Sequence, residues 1–439
     1  MADFINSTAT MTQDYPTYAI TARMYTLSER NLALGQFAQD YALESYMGKT
    51  MRIVRARRFS IPTTPLIEGV PPDGVPLQFD NIDIRLDQWG LISLMTDVSR
   101  LTLTHPVLEL SMARSALAIA ELMEREIAKT LLTSGTNVIY GNAAATSRAG
   151  IVNTGTPKTD RLQTSTVLNA TVMLRGLGAP PFDGDLYGGC IQPQQEGDLL
   201  SSDTTFQNAS NFARVRKLEN AEIGIWQGVQ WVRGNFLPIF AGVAAPDASA
   251  ATLTKAQATV SNTGGSLAAG TYQVVVVARD ANTDYERRVS QNSANLTVVG
   301  STGSIAVTTA TAVSYVYDVY VTQTNGTVPY LAASRIAANT AVTITTVPTT
   351  SAPIALTAPT TGTEVFVGWV FGTDAFARVR LDGMSMVSYV TPDGPSYSDP
   401  LAQGRKQGTK LMFKCAIQDQ NFLVRLETVS GYPSYLPTT

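Results

Sequence analysis

Apolar and polar residues alternate in two stretches near the start of the chain. In residues 81–87 three aliphatic side chains alternate with charged ones, and in residues 51–59 apolar residues are interspersed with arginines that would form a basic face. A period of two predicts strands with one buried and one solvated face. The intervening residues contain five prolines and two glycines, which disfavour regular structure. The pattern predicts a long hairpin with an irregular tip. Since an isolated two-stranded ribbon is marginal in water, we expect the hairpin to lie on a neighbouring subunit.

Helical spacing is strongest in residues 106–134. Apolar residues three and four positions apart form one stripe there, Pro106 stands in the first turn and Gly135 follows the last. Weaker patterns predict a short helix over 24–46 after a polar arm. Between 160 and 244 they predict alternating helices and strands: helices at 165–178 and 194–200, a strand at 187–191, and two strands in 223–240 with a turn near Gly234 and Asn235.

The composition changes at about residue 245 and changes back at about 362. This stretch is dominated by Ala, Thr, Val, Ser and Gly, and has five acidic and five basic residues. Short strand patterns recur within it and predict an all-β sandwich inserted between two parts of one unit: 271–278, 295–299, 304–308, 314–321 and 341–346. We expect this insert to fold independently on the outer face of an assembly and to be removable.

The overall composition narrows the range of functions. The 439 residues are 44% hydrophobic and 15% charged, with a net charge of -3. The chain is therefore long enough for a large core, but its net charge favours neither nucleic-acid recognition nor binding to acidic membranes. The charged fraction is below the roughly 25% of typical soluble domains, which points to surface buried in an assembly. Without a signal peptide or an apolar membrane-spanning run, we expect folding in the cytoplasm.

Few side chains could support chemistry. His105 is the only histidine, and its position before Pro106 suits the start of the long helix. Cys190 and Cys415 form no metal or redox motif, and we interpret them as two buried thiols. The run FDGDLYGG at 182–189 lacks the ligand spacing of a calcium loop and is interpreted as a turn. The sequence thus predicts no catalytic residue, no cofactor, no metal site and no enzyme.

The charges of the predicted hairpin are the candidate functional residues. No aromatic residues are interleaved with the arginines, so carboxylates are better partners for them than nucleic acid. Those carboxylates could lie on the opposite strand or on another subunit, and both alternatives stay open. The candidates for intersubunit assembly are Arg52, Arg55, Arg57, Arg58, Asp80, Asp83 and Asp87.

Four stretches, in this order and spacing, resemble a known family. They are GKTMRIVRARRFSIPTTPLIEGVPPDG (48–74), THPVLELSMARSALAIAELMEREIAKTLL (104–132), EIGIWQGVQWVRGNFLPIF (222–240), and VFGTDAFARVRL (370–381) followed by DPLAQGRKQGTKLMFKCAIQDQNFLVRLE (399–427). Together they resemble the tailed-phage major capsid protein of the Hong Kong 97 type. The insert resembles an immunoglobulin or fibronectin type III domain, through GTYQVVVVARD (270–280) and YVYDVYVTQTNG (315–326).

The resemblance implies an α+β capsid fold with an inserted all-β sandwich domain, divided into seven segments. These are an N-terminal arm and short helix (1–49), an extended loop or hairpin (50–90), a peripheral domain with spine helix 106–134 (91–159), the first part of an axial domain (160–244), the inserted sandwich (245–362), the return strands of the axial domain (363–383), and the second part of the peripheral domain with the C-terminus (384–439).

The resemblance also implies a function in virions. Copies of the chain would form the hexamers and pentamers of an icosahedral head around double-stranded DNA, with a portal, a separate scaffolding protein and decoration proteins as partners, and no membrane. Lysine is absent from residues 50–100, so an isopeptide bond that starts from the extended loop is not expected. The alternative is a phage tail or surface adhesin that binds carbohydrate or protein through the sandwich, which predicts more β repeats and no spine helix.

Overall fold

The structure is a computed structural model that separates into two compact units. It describes residues 33–61, 63, 65, 74–96, 107–133, 137–155, 159–182, 185–202, 222–281, 285–347, 357–382, 384, 386–391 and 403–434. The first unit comprises the described residues of Ala38–Glu126 and Phe376–Gln418. The second unit comprises those of Ile127–Ala375 and Asp419–Thr439 together with 33–37.

Three α-helices and 23 strands make up the regular structure of the described residues. The helices are α1 (Val107–Leu132), α2 (Thr164–Gly176) and α3 (Pro193–Ser202). The strands before the insert are β1 (Gln39–Leu43), β2 (Thr50–Ala56), β3 (Phe79–Arg85), β4 (Asp87–Thr96), β5 (Val138–Tyr140), β6 (Tyr187–Ile191), β7 (Glu222–Trp226), β8 (Val229–Arg233) and β9 (Ile239–Val243).

The remaining strands lie in the insert and after it. In the insert they are β10 (Gln257–Ser261), β11 (Gly270–Tyr272), β12 (Val274–Asp280), β13 (Glu286–Ser290), β14 (Leu296–Val298), β15 (Ser304–Thr308), β16 (Tyr315–Thr322), β17 (Pro329–Ile336) and β18 (Ala341–Ile344). After it they are β19 (Glu364–Phe371), β20 (Phe376–Leu381), β21 (Val387–Val390), β22 (Gly404–Ile417) and β23 (Leu423–Thr428).

The first unit is built on β22, its longest strand. β22 pairs antiparallel with β4, β20 and β21, and β1 pairs in parallel with β20. On one face of this sheet, Ser115 of α1 contacts the hydroxyl of Thr409 at 3.2 Å. A buried apolar cluster also forms in this unit, from Leu43, Ile84, Leu86, Val379 and Met412. The two-stranded hairpin β2–β3 contributes to that cluster.

The helix predicted over 24–46 is wrong in the part that the structure describes, because residues 39–43 form β1. The carboxylate of Asp40 accepts two hydrogen bonds from Arg378 on β20, at 2.6 and 2.7 Å. The Arg378 guanidinium lowers the pKa of Asp40. Pairing with a distant strand therefore overrides a weak local helical pattern. Residues 24–32 lie outside the described part of the chain.

The second unit contains a mixed sheet of eleven strands. Its main path runs β17-β16-β12-β13-β9-β19-β6-β8-β7, and β23 pairs with both β19 and β5. Helix α2 contributes Val167, Ala170 and Leu174 to a buried core. Trp231 and Leu426 belong to the same core. The predicted helices and strands of this region are confirmed in kind. The predicted turn near residues 234–235 lies in the connection from β8 to β9, and a third strand, β7, is joined to β8 by a further turn at Gln227 and Gly228, which have positive φ angles of 53° and 75°.

The insert has its own core between two sheets. Strands β10, β15 and β18 form a three-stranded sheet, and alternate residues of β12 and β16 face the same buried cluster, for example Val276 and Val319. The five strands predicted from the sequence are present, while β10, β13 and β17 were missed. That the insert belongs to the immunoglobulin or fibronectin class remains a prediction.

The insert shares a sheet with the rest of the second unit, and its independent folding and its removability stay predictions. β13 pairs in parallel with β9, and Val289 lies opposite Gly242. The chain leaves the insert beside the point where it entered: Gly362 donates a backbone hydrogen bond to Gly242 at 3.0 Å. A Cβ at Gly242 would come within 2.3 Å of the carbonyl oxygens of Pro359 and Thr360, so only glycine permits this approach.

A buried ionic cluster stabilises the segments around this junction. Nε of Arg148 donates a hydrogen bond at 2.9 Å to the carboxylate of Glu427, which lies on β23. The same carboxylate lies 2.9 Å from Nε of Arg425. Arg148 also stacks on the ring of Phe240, with its guanidinium carbon 4.0 Å from the ring centroid, and donates at 3.3 Å to the carbonyl of Thr357 near the end of the insert. All three charged side chains are buried. Removing one partner would leave a buried charge incompletely compensated.

We therefore predict that Arg148→Ala lowers the free energy of unfolding of the subunit by about 3–5 kcal/mol, the usual cost of breaking a buried ion pair. The measurement is urea unfolding followed by tryptophan fluorescence, since Trp231 and Trp369 are buried in the same unit. The control is Lys255→Ala, whose partner Asp247 is exposed and which should change stability little. Equal stability of the two variants would contradict the prediction.

Candidate functional site

The predicted hairpin is present, and its register determines where its charges point. β2 and β3 pair antiparallel from Thr50 opposite Arg85 to Ala56 opposite Phe79. Successive side chains of a strand point to opposite faces, so Arg52 lies on one face and Arg55 on the other. The expectation of one basic face is wrong for this reason.

Most of the charges pair across the hairpin. Arg52 donates two hydrogen bonds to Asp83, at 2.6 and 2.8 Å. On the other face, Asp80 accepts a hydrogen bond from Nε of Arg57 at 2.6 Å and lies 3.9 Å from Arg55. The Arg52 guanidinium lowers the pKa of Asp83, so this pair persists in mildly acidic solution. Because all these side chains are exposed or half-exposed, the pairs align the ribbon more than they stabilise it.

The other two predicted residues lie outside this pattern. Asp87 begins β4 and accepts a hydrogen bond from Lys414 of β22 at 2.7 Å, so it ties the base of the hairpin to the sheet. Arg58 is exposed and follows the last paired residue of β2. The structure thus brings together five of the seven candidates and separates Asp87 and Arg58 from them.

The apolar side chains of the hairpin divide into a covered base and an uncovered outer part. At the base, Ile84 is buried, and Met51 and Ile53 pack against the first unit's core. Farther along the ribbon six large apolar side chains are exposed, among them Ile61, which is 83% exposed. They are Val54, Phe59, Ile61, Val75, Leu77 and Phe79. These residues were not predicted as a site, although apolar residues among prolines are a visible signal in the sequence.

Solved structures with the same arrangement are phage capsids. The Pam1 cyanophage capsid matches 98% of this chain and 99% of its own, with 14% identity and a TM-score of 0.52. The Ralstonia phage GP4 capsid matches 98% of this chain and all of its own, with 12% identity and a TM-score of 0.51. The cyanophage P-SCSP1u capsid matches 94% and 92%, with 13% identity and a TM-score of 0.50. The chain has the phage capsid protein fold.

Comparison of the whole sequence with known proteins does not find this similarity. No protein-family profile matches the sequence, and no curated protein matches it either. The α+β capsid fold expected from the order of motifs is confirmed. The capsid-fold chain includes α1, a helix of 26 residues, where the resemblance places the spine helix.

The structure of this capsid-fold chain offers little for chemistry. Among the residues it describes, no group of three or more His, Cys, Asp or Glu could hold a metal ion. Within the same residues no helix is long and apolar enough to span a membrane. His105 lies outside the described ranges, as do residues 183 and 184 of the glycine-rich run. Tyr187 of that run begins strand β6.

Both cysteines of the capsid-fold chain are free and buried, as interpreted from the sequence. Cys190 lies on β6 in the second unit, and Cys415 lies on β22 in the first. Burial raises the pKa of Cys415 to about 12, so its thiol stays protonated at neutral pH. Because the thiolate is the reactive form, Cys415 does not suit redox chemistry, and burial shields the thiol of Cys190 from reagents.

We predict that the native protein releases no chromophore from a chromogenic disulfide reagent at pH 8 within minutes. After denaturation in guanidinium, both thiols become accessible and two equivalents should react. The measurement is absorbance against time, with the same amount of protein in each state. Rapid reaction of one equivalent in the native state would show that Cys190 or Cys415 is accessible.

Proposed function

We propose that this chain is a major capsid protein whose copies assemble into the hexamers and pentamers of an icosahedral phage head. Support comes from a fold shared over nearly the whole chain with three phage capsids, and from the exposed apolar outer part of the hairpin. The second of these observations carries the proposal, because it concerns this chain's own surface.

The hairpin explains why association is favourable. Burying a large aliphatic or aromatic side chain contributes about 1.5–3 kcal/mol, and six such side chains are exposed on one ribbon. A single chain leaves them in water, whereas a neighbouring copy could cover them. A head-to-tail contact of this kind repeats around a ring and closes where the rotation permits.

The charged residues of the hairpin have a supporting task in this proposal. The pairs of Arg52 with Asp83 and of Arg57 with Asp80 hold the two strands in register, and Asp87 anchors the base. Arg58 is placed to reach a neighbouring subunit. The seven residues would thus contribute to assembly partly indirectly, because several of them fix the shape of the ribbon and do not themselves contact a neighbouring subunit.

The remaining partners follow from the proposed role. Double-stranded DNA would fill the head and contact the shell without sequence specificity, and a portal, a separate scaffolding protein and decoration proteins would complete it. The chain would act in the virion, after assembly in the host cytoplasm, as a structural protein and not as an enzyme. No observation favours the alternative of a tail or surface adhesin, which predicted a chain without a long helix.

The first test reverses the charge of the basic residues near the outer part of the hairpin. We predict that replacing Arg55, Arg57 and Arg58 with Glu leaves a folded subunit that forms no closed particles, because Asp80 would then face carboxylates. Circular dichroism checks the fold, and sedimentation with electron microscopy checks the particles.

The matched control replaces the same three arginines with Lys, which keeps the charge and should still give particles. Closed particles from the glutamate variant at the wild-type yield would refute the assigned role of the hairpin charges. If the unaltered chain formed no particles when produced with a scaffolding protein, the proposed function itself would be wrong.

A further prediction concerns how the shell is held together. Lysine is absent from residues 50–100 and both cysteines are buried and free, so no covalent link from the extended loop is expected. Particles boiled in detergent under reducing conditions should give a single band at 47.0 kDa. A ladder of larger species on the gel would contradict this expectation.

A further inference from the structure

The insert contributes a terminal strand to the large sheet of the second unit. β17 stands at one end of the main path of this sheet and pairs antiparallel with β16. Among the described residues, no strand pairs with the other edge of β17. An edge of this kind presents unpaired N–H and C=O groups that can pair with another chain. The sequence of β17, PYLAASRI, favours such pairing, because Arg335 is its only charged residue.

The pairing of β17 with β16 contains two bulges. The eight residues of β17 lie opposite only six residues of β16, Tyr317–Thr322. Ala332 is one extra residue, and a second arises where Ser334 and Arg335 both lie opposite Asp318. The pairing of β16 with β12 is regular over all seven residue pairs. β16 is therefore regular towards its inner neighbour and irregular only towards the edge strand.

A buried carboxylate holds the second bulge. Arg335 has a positive φ of 54°, which is uncommon for a residue other than glycine. Its backbone N–H donates a hydrogen bond to Oδ1 of Asp318 at 2.8 Å, and Oδ2 of Asp318 accepts one from Nε of Arg279 on β12. Asp318 is 1% exposed, and a charge is costly to bury unless it is paired and hydrogen-bonded. Because its two partners meet that condition, the carboxylate fixes the bulge in place.

The bulges change what the outer edge of β17 can bind. In an antiparallel ladder, a strand offers its N–H and C=O groups to a given neighbour at regular intervals along its length. Each bulge leaves one residue unpaired, bends the strand and increases its local twist. An incoming strand would therefore meet an interrupted and twisted edge in place of eight residues in regular register.

We infer that Asp318, through the bulge at Arg335, keeps the insert of one copy from pairing edge to edge with the insert of a second copy. A second copy is the partner excluded, because identical edges can meet around a two-fold axis and copies of the chain are its nearest neighbours in any assembly that it forms. Asp318 is in this sense a positioning residue. The inference goes beyond the proposed function and does not depend on it, since an exposed edge favours association of any chain at high concentration.

The first experiment removes the carboxylate together with the charge of its partner. The full chain carries Asp318→Val and Arg279→Gln, because removing one partner of a buried pair alone would destabilise the fold. The glutamine amide can still donate to Glu286, which Arg279 contacts at 3.3 Å. Valine favours strands, so β17 should pair regularly and expose a regular outer edge. We expect a variant that is folded by circular dichroism and that sediments as larger species than the unaltered chain at the same concentration.

The matched control carries Asp318→Asn in the same Arg279→Gln background. Its amide oxygen can still accept the hydrogen bond from the N–H of Arg335, so this variant should sediment like the unaltered chain. Hydrogen exchange distinguishes edge pairing from a loosened fold. Pairing should slow the exchange of the backbone amides of residues 329–336, whereas local unfolding would speed it.

A second variant keeps both members of the ion pair. Deletion of Ala332 and Arg335 removes the two extra residues, so the six that remain in β17 match β16 one to one. Asp318 stays paired with Arg279 in this variant. It should associate in the same way and show the same slower exchange in β17.

A folded variant of either design that sediments like the unaltered chain would overturn the inference. Association without slower exchange in β17 would also overturn it, because the contact would then lie elsewhere, and so would equal association of the control. If neither variant folded, the bulges would serve folding, and the role assigned to Asp318 would be wrong. None of these results depends on whether the unaltered chain closes particles, so the proposed function stands or falls separately.

Discussion

The backbone of β9 must be hydrogen-bonded on both of its edges, and the second unit depends on how this is achieved. One edge pairs antiparallel with β19, and the other pairs in parallel with β13, which the chain reaches only after it has entered the insert. An unpaired inner strand would leave several buried peptide groups without partners, at a cost of about 1–3 kcal/mol each. The insert therefore completes the sheet of the second unit in addition to having a core of its own.

The close approach at Gly242 and the cluster around Glu427 follow from this pairing. Entry to the insert and exit from it must lie side by side, so backbone meets backbone at a position where a Cβ does not fit. Arg148 then ties β23 to Thr357, on the exit side of the insert. A domain joined to its host through one sheet and one ion cluster is expected to transmit strain between them, and it differs in this respect from a domain on a flexible linker.

The first unit shows the opposite situation, in which apolar surface remains uncovered. A two-stranded ribbon can bury its side chains only where something lies beneath it, and here the core extends as far as Ile53 and Ile82. Beyond that point the large apolar side chains of the described part of the hairpin are exposed, among them Phe59, Ile61 and Val75. A low overall charge is consistent with a molecule whose remaining surfaces are satisfied by copies of itself.

Several elements were predictable because their signal is local and long. Helix α1 has a stripe that repeats over many turns, and residues 81–87 of the hairpin have an unbroken period of two, so the physical reason for each structure lies within its own residues. The strands of the insert were found where β-branched residues cluster.

Strands β10, β13 and β17 were missed because their residues are Ala-, Ser- or Arg-rich, and they are strands on account of the partners beside them. The turn at Gln227 was missed because a non-glycine residue adopts a positive φ there.

The sequence by itself determined the class of the fold, the existence of the hairpin and of the long helix, and the burial of the two cysteines. Only the tertiary structure decided that residues 39–43 form a strand, since Arg378 and strand β20 come from the far end of the chain. It alone decided which arginines share a face, because a shift of one residue in a strand exchanges its two faces. It alone joined the insert to β9. This junction arises from hydrogen bonds between strands far apart in sequence, a pairing that local composition does not specify.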